Sequence, residues 1–169
     1  VENFSNIDPE LLKFSSNKIK NNKKIVLNVI KKNSDALEFA SNNLKNNKKI
    51  VLSAVKQDGE LIKFASKKLK EDKDIIIAAL KKNKDLKIIP GKFANDKKII
   101  KMILKYFSDQ NYGYQDLNDK IKNNKAITFG AIQISADNLE YAPKKFKNNK
   151  KIVLKAVKQD GSALKHADD

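Results

Sequence analysis

The chain has 169 residues, 36 basic side chains against 20 acidic ones, and a formal net charge of +16 at neutral pH. Every basic residue is lysine; arginine, cysteine and tryptophan are absent, and His166 is the sole histidine. These facts exclude a disulfide framework, a thiolate metal site and a thiol nucleophile, and no apolar run approaches the ~20 residues that span a bilayer.

Taken in chain order, one register recurs. An Asn or Asp stands three residues before an isoleucine, at Asn22 and Ile25, Asn47 and Ile50, Asp72 and Ile75, Asp96 and Ile99, Asn124 and Ile127, and Asn149 and Ile152. A large apolar residue precedes each Asn or Asp by three: Ile19, Leu44, Leu69, Phe93, Ile121 and Phe146. Asn and Asp are favoured at helix N-caps, where the side-chain oxygen accepts an orphan backbone N–H. From Asn47 the run Ile50, Val51, Ala54, Val55 lays an apolar stripe along one helix face, and Ile152, Val153, Ala156, Val157 repeat it. A shorter pattern lies between these helices, as in Leu37, Phe39, Ala40, Leu44 and Ile62, Phe64, Ala65, Leu69. Ser41, Ser66 and Pro143 occupy one slot inside it and suit a helix start, so the segment is expected to break into two small turns. Gly59 and Gly161 are expected to be left-handed residues after a helix, with Asn33 and Asn83 doing similar work. No stretch alternates with a two-residue period, so no strand is expected.

Helices of about ten residues are marginal alone in water. Stacking at a fixed period buries each stripe against its neighbour. The expected fold is all-α, a short right-handed α-solenoid of tandem two-helix repeats, with the six isoleucines and the Leu/Phe rows as one spine. Residues 1–169 read as a single helical-repeat domain of about six repeats. An irregular insertion lies near 105–116, and the last repeat is truncated, which reads as a piece of a longer protein.

The segments 36–59 and 139–161 resemble the domain of unknown function family 4116, and the resemblance extends over roughly 12–167. It implies a helical-repeat fold and no agreed activity. The family's pattern sets Asp at the helix cap with an acidic residue soon after. Here Asp occupies only two of the six caps, Asp72 and Asp96, and lysine follows most of them.

Two sets of residues stand out as candidate sites. The first is a lysine ladder at the helix starts: Lys23, Lys24, Lys48, Lys49, Lys73, Lys97, Lys98, Lys125, Lys150 and Lys151. Lysine there opposes the positive end of the helix dipole, at a cost of about 0.3–1 kcal/mol each. A local rule broken repeatedly points to polyanion binding. The competing reading is a solvated edge made basic by A- and T-rich codons, which Lys, Asn and Ile share. Lysine attracts phosphate or carboxylate as a point charge but lacks arginine's fork for reading bases. The second set is Tyr106, Tyr112 and Tyr114 in the insertion, read either as exposed partner-binding anchors or as packing residues. His166 falls in the slot of Phe39, Phe64 and Tyr141 and reads as a half-buried packing residue.

No carboxylate pair, glycine-rich phosphate loop or nucleophile–base pair emerges, so neither an enzyme nor a cofactor is expected. The function expected is a non-catalytic, basic scaffold for an acidic protein partner. The alternative is sequence-tolerant nucleic-acid binding through the ladder, or inhibition of a nucleic-acid-handling enzyme. Binding to an anionic membrane surface ranks last, because no free amphipathic helix is evident. A cytoplasmic location is the expectation, with a removed leader left open.

Overall fold

The computed structural model describes residues 9–107 and 113–168, and every regular element among them is helical. The chain divides into two compact units, 1–85 and 86–169.

The first unit holds α1 (Pro9–Phe14), α2 (Asn17–Lys20), α3 (Lys23–Lys32), α4 (Asn42–Lys45), α5 (Lys48–Val55), α6 (Lys67–Lys70) and α7 (Lys73–Asn83), with 3-10 turns at Ser34–Phe39 and Gly59–Phe64. Each long helix starts at its expected cap. The Asn22 side chain accepts from the N–H groups of Lys24 and Ile25, Asn47 from Ile50, and Asp72 from Asp74 and Ile75. The stripes then meet: α3 packs on α5 and α5 on α7. Ile25, Val26, Val29 and Ile30 are buried, as are Ile50, Val51, Ala54 and Val55, and Ile75, Ile76, Ala79 and Leu80. Each such side chain removed from water contributes about 1.5–3 kcal/mol, less for alanine.

The segment between long helices divides as expected, into a 3-10 turn and a four-residue helix. Ser41 and Ser66 cap α4 and α6 through their hydroxyls. They also tie one repeat to the last. Ser41 N–H donates to Lys20 O at 3.0 Å and Ser66 N–H to Lys45 O at 3.0 Å. Their hydroxyls donate to Asn21 and Asn46, each at 2.7 Å.

The helix ends differ from expectation. Neither Gly59 nor Gly161 has a positive φ, and Lys84, at 53°, is the one left-handed residue among those described. Asn33 and Asp58 instead swing to extended backbone (φ −144° and −137°) and cap the following 3-10 turn. Asn83 remains within α7, where its side-chain oxygen Oδ1 accepts the Gly59 N–H at 2.9 Å. Gly59 is glycine for a different reason, close approach. A Cβ there would lie 2.5 Å from the Ala79 carbonyl oxygen.

The second unit holds α8 (Lys97–Phe107), α9 (Asp119–Lys122), α10 (Lys125–Ile134), α11 (Lys144–Lys147) and α12 (Lys150–Gln159), with 3-10 turns at Leu86–Ile88, Gly91–Phe93, Tyr114–Asp116, Ala136–Leu139 and Gly161–His166. Asp96, Asn124 and Asn149 cap the three long helices. α10 packs against both α8 and α12. Ile99, Ile103, Ile127, Ala131, Ile132, Ile152 and Ala156 form the core, with Leu117, Ile121, Leu139 and Phe146 from the shorter elements.

Candidate functional site

The ladder lysines sit at the first or second position of α3, α5, α7, α8, α10 and α12. Within each unit the long helices run parallel, so their starts share an edge. In the first unit the α5 and α7 starts are joined by Lys48, while Gln57, just past α5, donates to Ile30 O in α3 at 2.9 Å. In the second unit Asn124, the cap of α10, donates to Ala94 O beside the start of α8 at 2.9 Å, and Gln159 at the end of α12 donates to Ile134 O at the end of α10 at 3.3 Å.

The two edges differ in charge. Lys48 Nζ lies 3.0 Å from the Asp72 carboxylate and 2.6 Å from that of Asp74. The Asp74 and Asp72 hydrogen bonds push the Lys48 ammonium above its usual value. Partial desolvation pushes the Asp72 carboxyl up, but the Lys48 hydrogen bond and the N–H donors of Ile75 and Asp74 outweigh it and hold it below 3.8. Lys73 is half-buried, and Lys23, Lys24 and Lys49 are exposed. This edge therefore carries its own counterions at its middle helix.

The positions that neutralise Lys48 are the cap and second helical residue of the next repeat. For Lys97 the equivalent residues are Asn124 and Ala126; for Lys125 they are Asn149 and Lys151. Neither pair supplies a carboxylate. Lys97, Lys98, Lys125, Lys150 and Lys151 are all exposed, and none forms an ion pair among the described residues. Five ammonium groups thus crowd three adjacent helix starts, where the backbone adds partial positive charge.

Three stretches, residues 2–45, 47–93 and 127–169, match the family model described as a domain of unknown function (DUF4116). The chain belongs to the DUF4116 family. No curated protein and no solved structure matches it. The unmatched stretch, 94–126, contains α8, the insertion, α9 and the first two residues of α10. Three of the five edge lysines, Lys97, Lys98 and Lys125, lie there; Lys150 and Lys151 lie in matched DUF4116 sequence.

The tyrosines of this DUF4116 chain need a correction. Tyr106 and Tyr114 are buried, at 7% and 1% exposure, so they are packing residues and not exposed anchors. Tyr114 packs edge-on against Phe107, with ring centroids 6.1 Å apart, and its hydroxyl lies 2.9 Å from Thr128 Oγ1. Burial pushes its phenol up to about 12. The register explains the burial. Thirteen residues before each repeat isoleucine stand Leu12, Leu37, Ile62, Leu86, Tyr114 and Leu139, and all six are buried. Tyr112 lies outside the described residues.

His166 is half-buried, 4.0 Å from the Glu140 carboxylate. A groove of about 390 Å³ lies between α1 and the 34–39 turn, walled by Phe14 and Phe39. Its charged lining sets Lys13 against Glu10, Asp35 and Glu38, a net acidic wall. Among the described residues no cluster of three or more metal-ligating side chains exists, and no helix is long and apolar enough to cross a membrane.

Proposed function

We propose that this DUF4116 chain is a non-catalytic binding module, a short α-solenoid scaffold that docks an acidic protein partner on the edge formed by the starts of α8, α10 and α12. The observation that carries this reading is the crowding of Lys97, Lys98, Lys125, Lys150 and Lys151 there without carboxylate partners. Such an edge repels itself, and carboxylates docked from outside relieve the repulsion and complement the helix dipoles. The first unit shows the same relief supplied internally, where Asp72 and Asp74 grip Lys48. Lysine without arginine favours acidic clusters over base edges, which need bidentate donors.

The test is fluorescence anisotropy with labelled polyglutamate, beside labelled single-stranded RNA and duplex DNA, at about 50 and 200 mM salt, the range over which phosphate contacts weaken steeply. One variant reverses Lys97, Lys125 and Lys150 to Glu. A charge-matched control reverses the exposed Lys101, Lys155 and Lys158. The reading expects the edge variant to lose polyglutamate affinity by about tenfold more than the control, roughly 1.4 kcal/mol. Equal loss in both contradicts a localised edge. Tighter binding of either nucleic acid at 200 mM salt, lost in the edge variant alone, replaces the acidic-protein reading with a nucleic-acid one.

A further inference from the structure

A backbone bond ties the first repeat to the second and the second to the third, and the joint between the fifth and sixth repeats lacks it. Ser41 N–H donates to Lys20 O, Ser66 N–H to Lys45 O, and Asp168 N–H, more weakly at 3.4 Å, to Lys147 O. The equivalent pair is residue 143 and Lys122, but residue 143 is proline and has no N–H to give. The Lys122 carbonyl is nonetheless satisfied. Thr128 Oγ1 donates to it at 2.6 Å.

Thr128 is itself an exception. The residue after each repeat isoleucine is Val26, Val51, Ile76, Ile100, Thr128 and Val153, so a hydroxyl replaces a branched aliphatic methyl only here. Thr128 is fully buried, and Tyr114 nearly so. A buried hydroxyl without partners is costly, yet that of Thr128 has two. Its single proton goes to Lys122 O, so Tyr114, 2.9 Å away, donates its own proton to Thr128 Oγ1. Tyr114 is the polar exception in another aliphatic slot. The Lys122 ammonium closes the cluster, donating to Gln115 O at 2.9 Å and lying 5.7 Å from the Tyr114 ring centre.

We infer that Tyr114, Thr128 and Pro143 are one coupled device, a hydroxyl relay that satisfies the Lys122 carbonyl where proline withholds the inter-repeat N–H, and that ties the end of α9 to α10. Proline also fills the Pro143 slot at Pro90, where the preceding repeat keeps the aliphatic Ile62 and Ile76, so the two hydroxyls are what set this repeat apart. The relay lies within the fifth repeat, beside Lys125, and it stands independently of what the ladder lysines bind.

A double-mutant cycle on the full chain tests it, read by thermal unfolding. Thr128→Val keeps the shape and removes the hydroxyl, leaving Lys122 O unpaired. Its Tm is expected to fall by about 5–10 °C, the scale of one orphaned buried acceptor in a unit this small. In a Pro143→Ser background, where the backbone N–H returns, the same change is expected to cost less than half as much. Tyr114→Phe leaves the Thr128–Lys122 bond intact, so Pro143→Ser is expected not to rescue it. Equal losses from Thr128→Val in both backgrounds overturn the coupling. So does equal rescue of Thr128→Val and Tyr114→Phe, which would make Pro143→Ser a general stabiliser. Should Thr128→Val alone fail to fold, recovery of helical circular dichroism in Thr128→Val/Pro143→Ser supports the relay, and no recovery contradicts it.

Discussion

Gly59 and Gly161 occupy one slot of the repeat and meet opposite surroundings. A Cβ on Gly59 would press the Ala79 carbonyl, a backbone atom held inside α7, whereas nothing lies within 4 Å of one on Gly161. Gly59→Ala is therefore expected to destabilise by about 1–3 kcal/mol, and Gly161→Ala to stay within about 0.5 kcal/mol of the parent, both read from urea midpoints. Tyr114 gives a second test. Its phenol is raised to about 12 because burial disfavours the phenolate, so its share of stability is intact below the ordinary value of 10.0 and is lost as pH rises from there toward 12. Alkaline titration of phenolate absorbance should show a component ionising well above 10.0, and that component should diminish in Tyr114→Phe. The burial of Tyr114 was legible in the sequence by counting back thirteen residues from Ile127. Composition hides it, since a tyrosine beside an insertion resembles an exposed anchor. The left-handed glycines failed for a related reason. A glycine after a helix has two explanations, positive φ and close approach, and only the neighbouring repeat decides between them.

For the elements, the six Asn and Asp caps were readable because capping is local chemistry within three residues. The caps are not equal, however. Asn124 accepts from two N–H groups and also donates to Ala94 O and Asn95, while Asn149 accepts from Ile152 alone. Asn124→Ala is expected near the upper end of the range of about 0.5–2 kcal/mol, and Asn149→Ala near the lower end. Denaturant titration with intact slope checks this. The charge state of the ladder was not readable from single helices, because Lys48 is neutralised by carboxylates 24 and 26 residues away. Asp72 titrates below 3.8, so its contribution is present above that value and fades as pH falls through the depressed one. Acid titration should then release the Lys48 pair only below about pH 4, and Asp72→Asn should remove that acid dependence. The stability effect at neutral pH should be small, about 0–1 kcal/mol, as for other exposed pairs.

At the scale of the whole molecule, charge is spread evenly while its pairing is not. Residues 1–85 carry 19 lysines and 11 carboxylates, and residues 86–169 carry 17 and 9, so each unit has a formal +8. Codon bias supplies lysines without regard to position and accounts for an even total. It gives no reason for Lys48 to face two carboxylates of the next repeat while Lys97 and Lys125 face none. That contrast is the ground for the proposed function, and it separates this reading from attraction by net charge, which would treat the two units alike.

The most direct test is amide chemical-shift mapping of the full chain with an acidic peptide of eight aspartates, repeated at high salt. The account predicts perturbations concentrated on residues 97–99, 125–127 and 150–152, with far smaller ones at 48–50 and 73–75, where Lys48 is already paired. Perturbations spread evenly over lysines of both units, or equal at the two edges, would contradict it and leave the charge without a localised docking site.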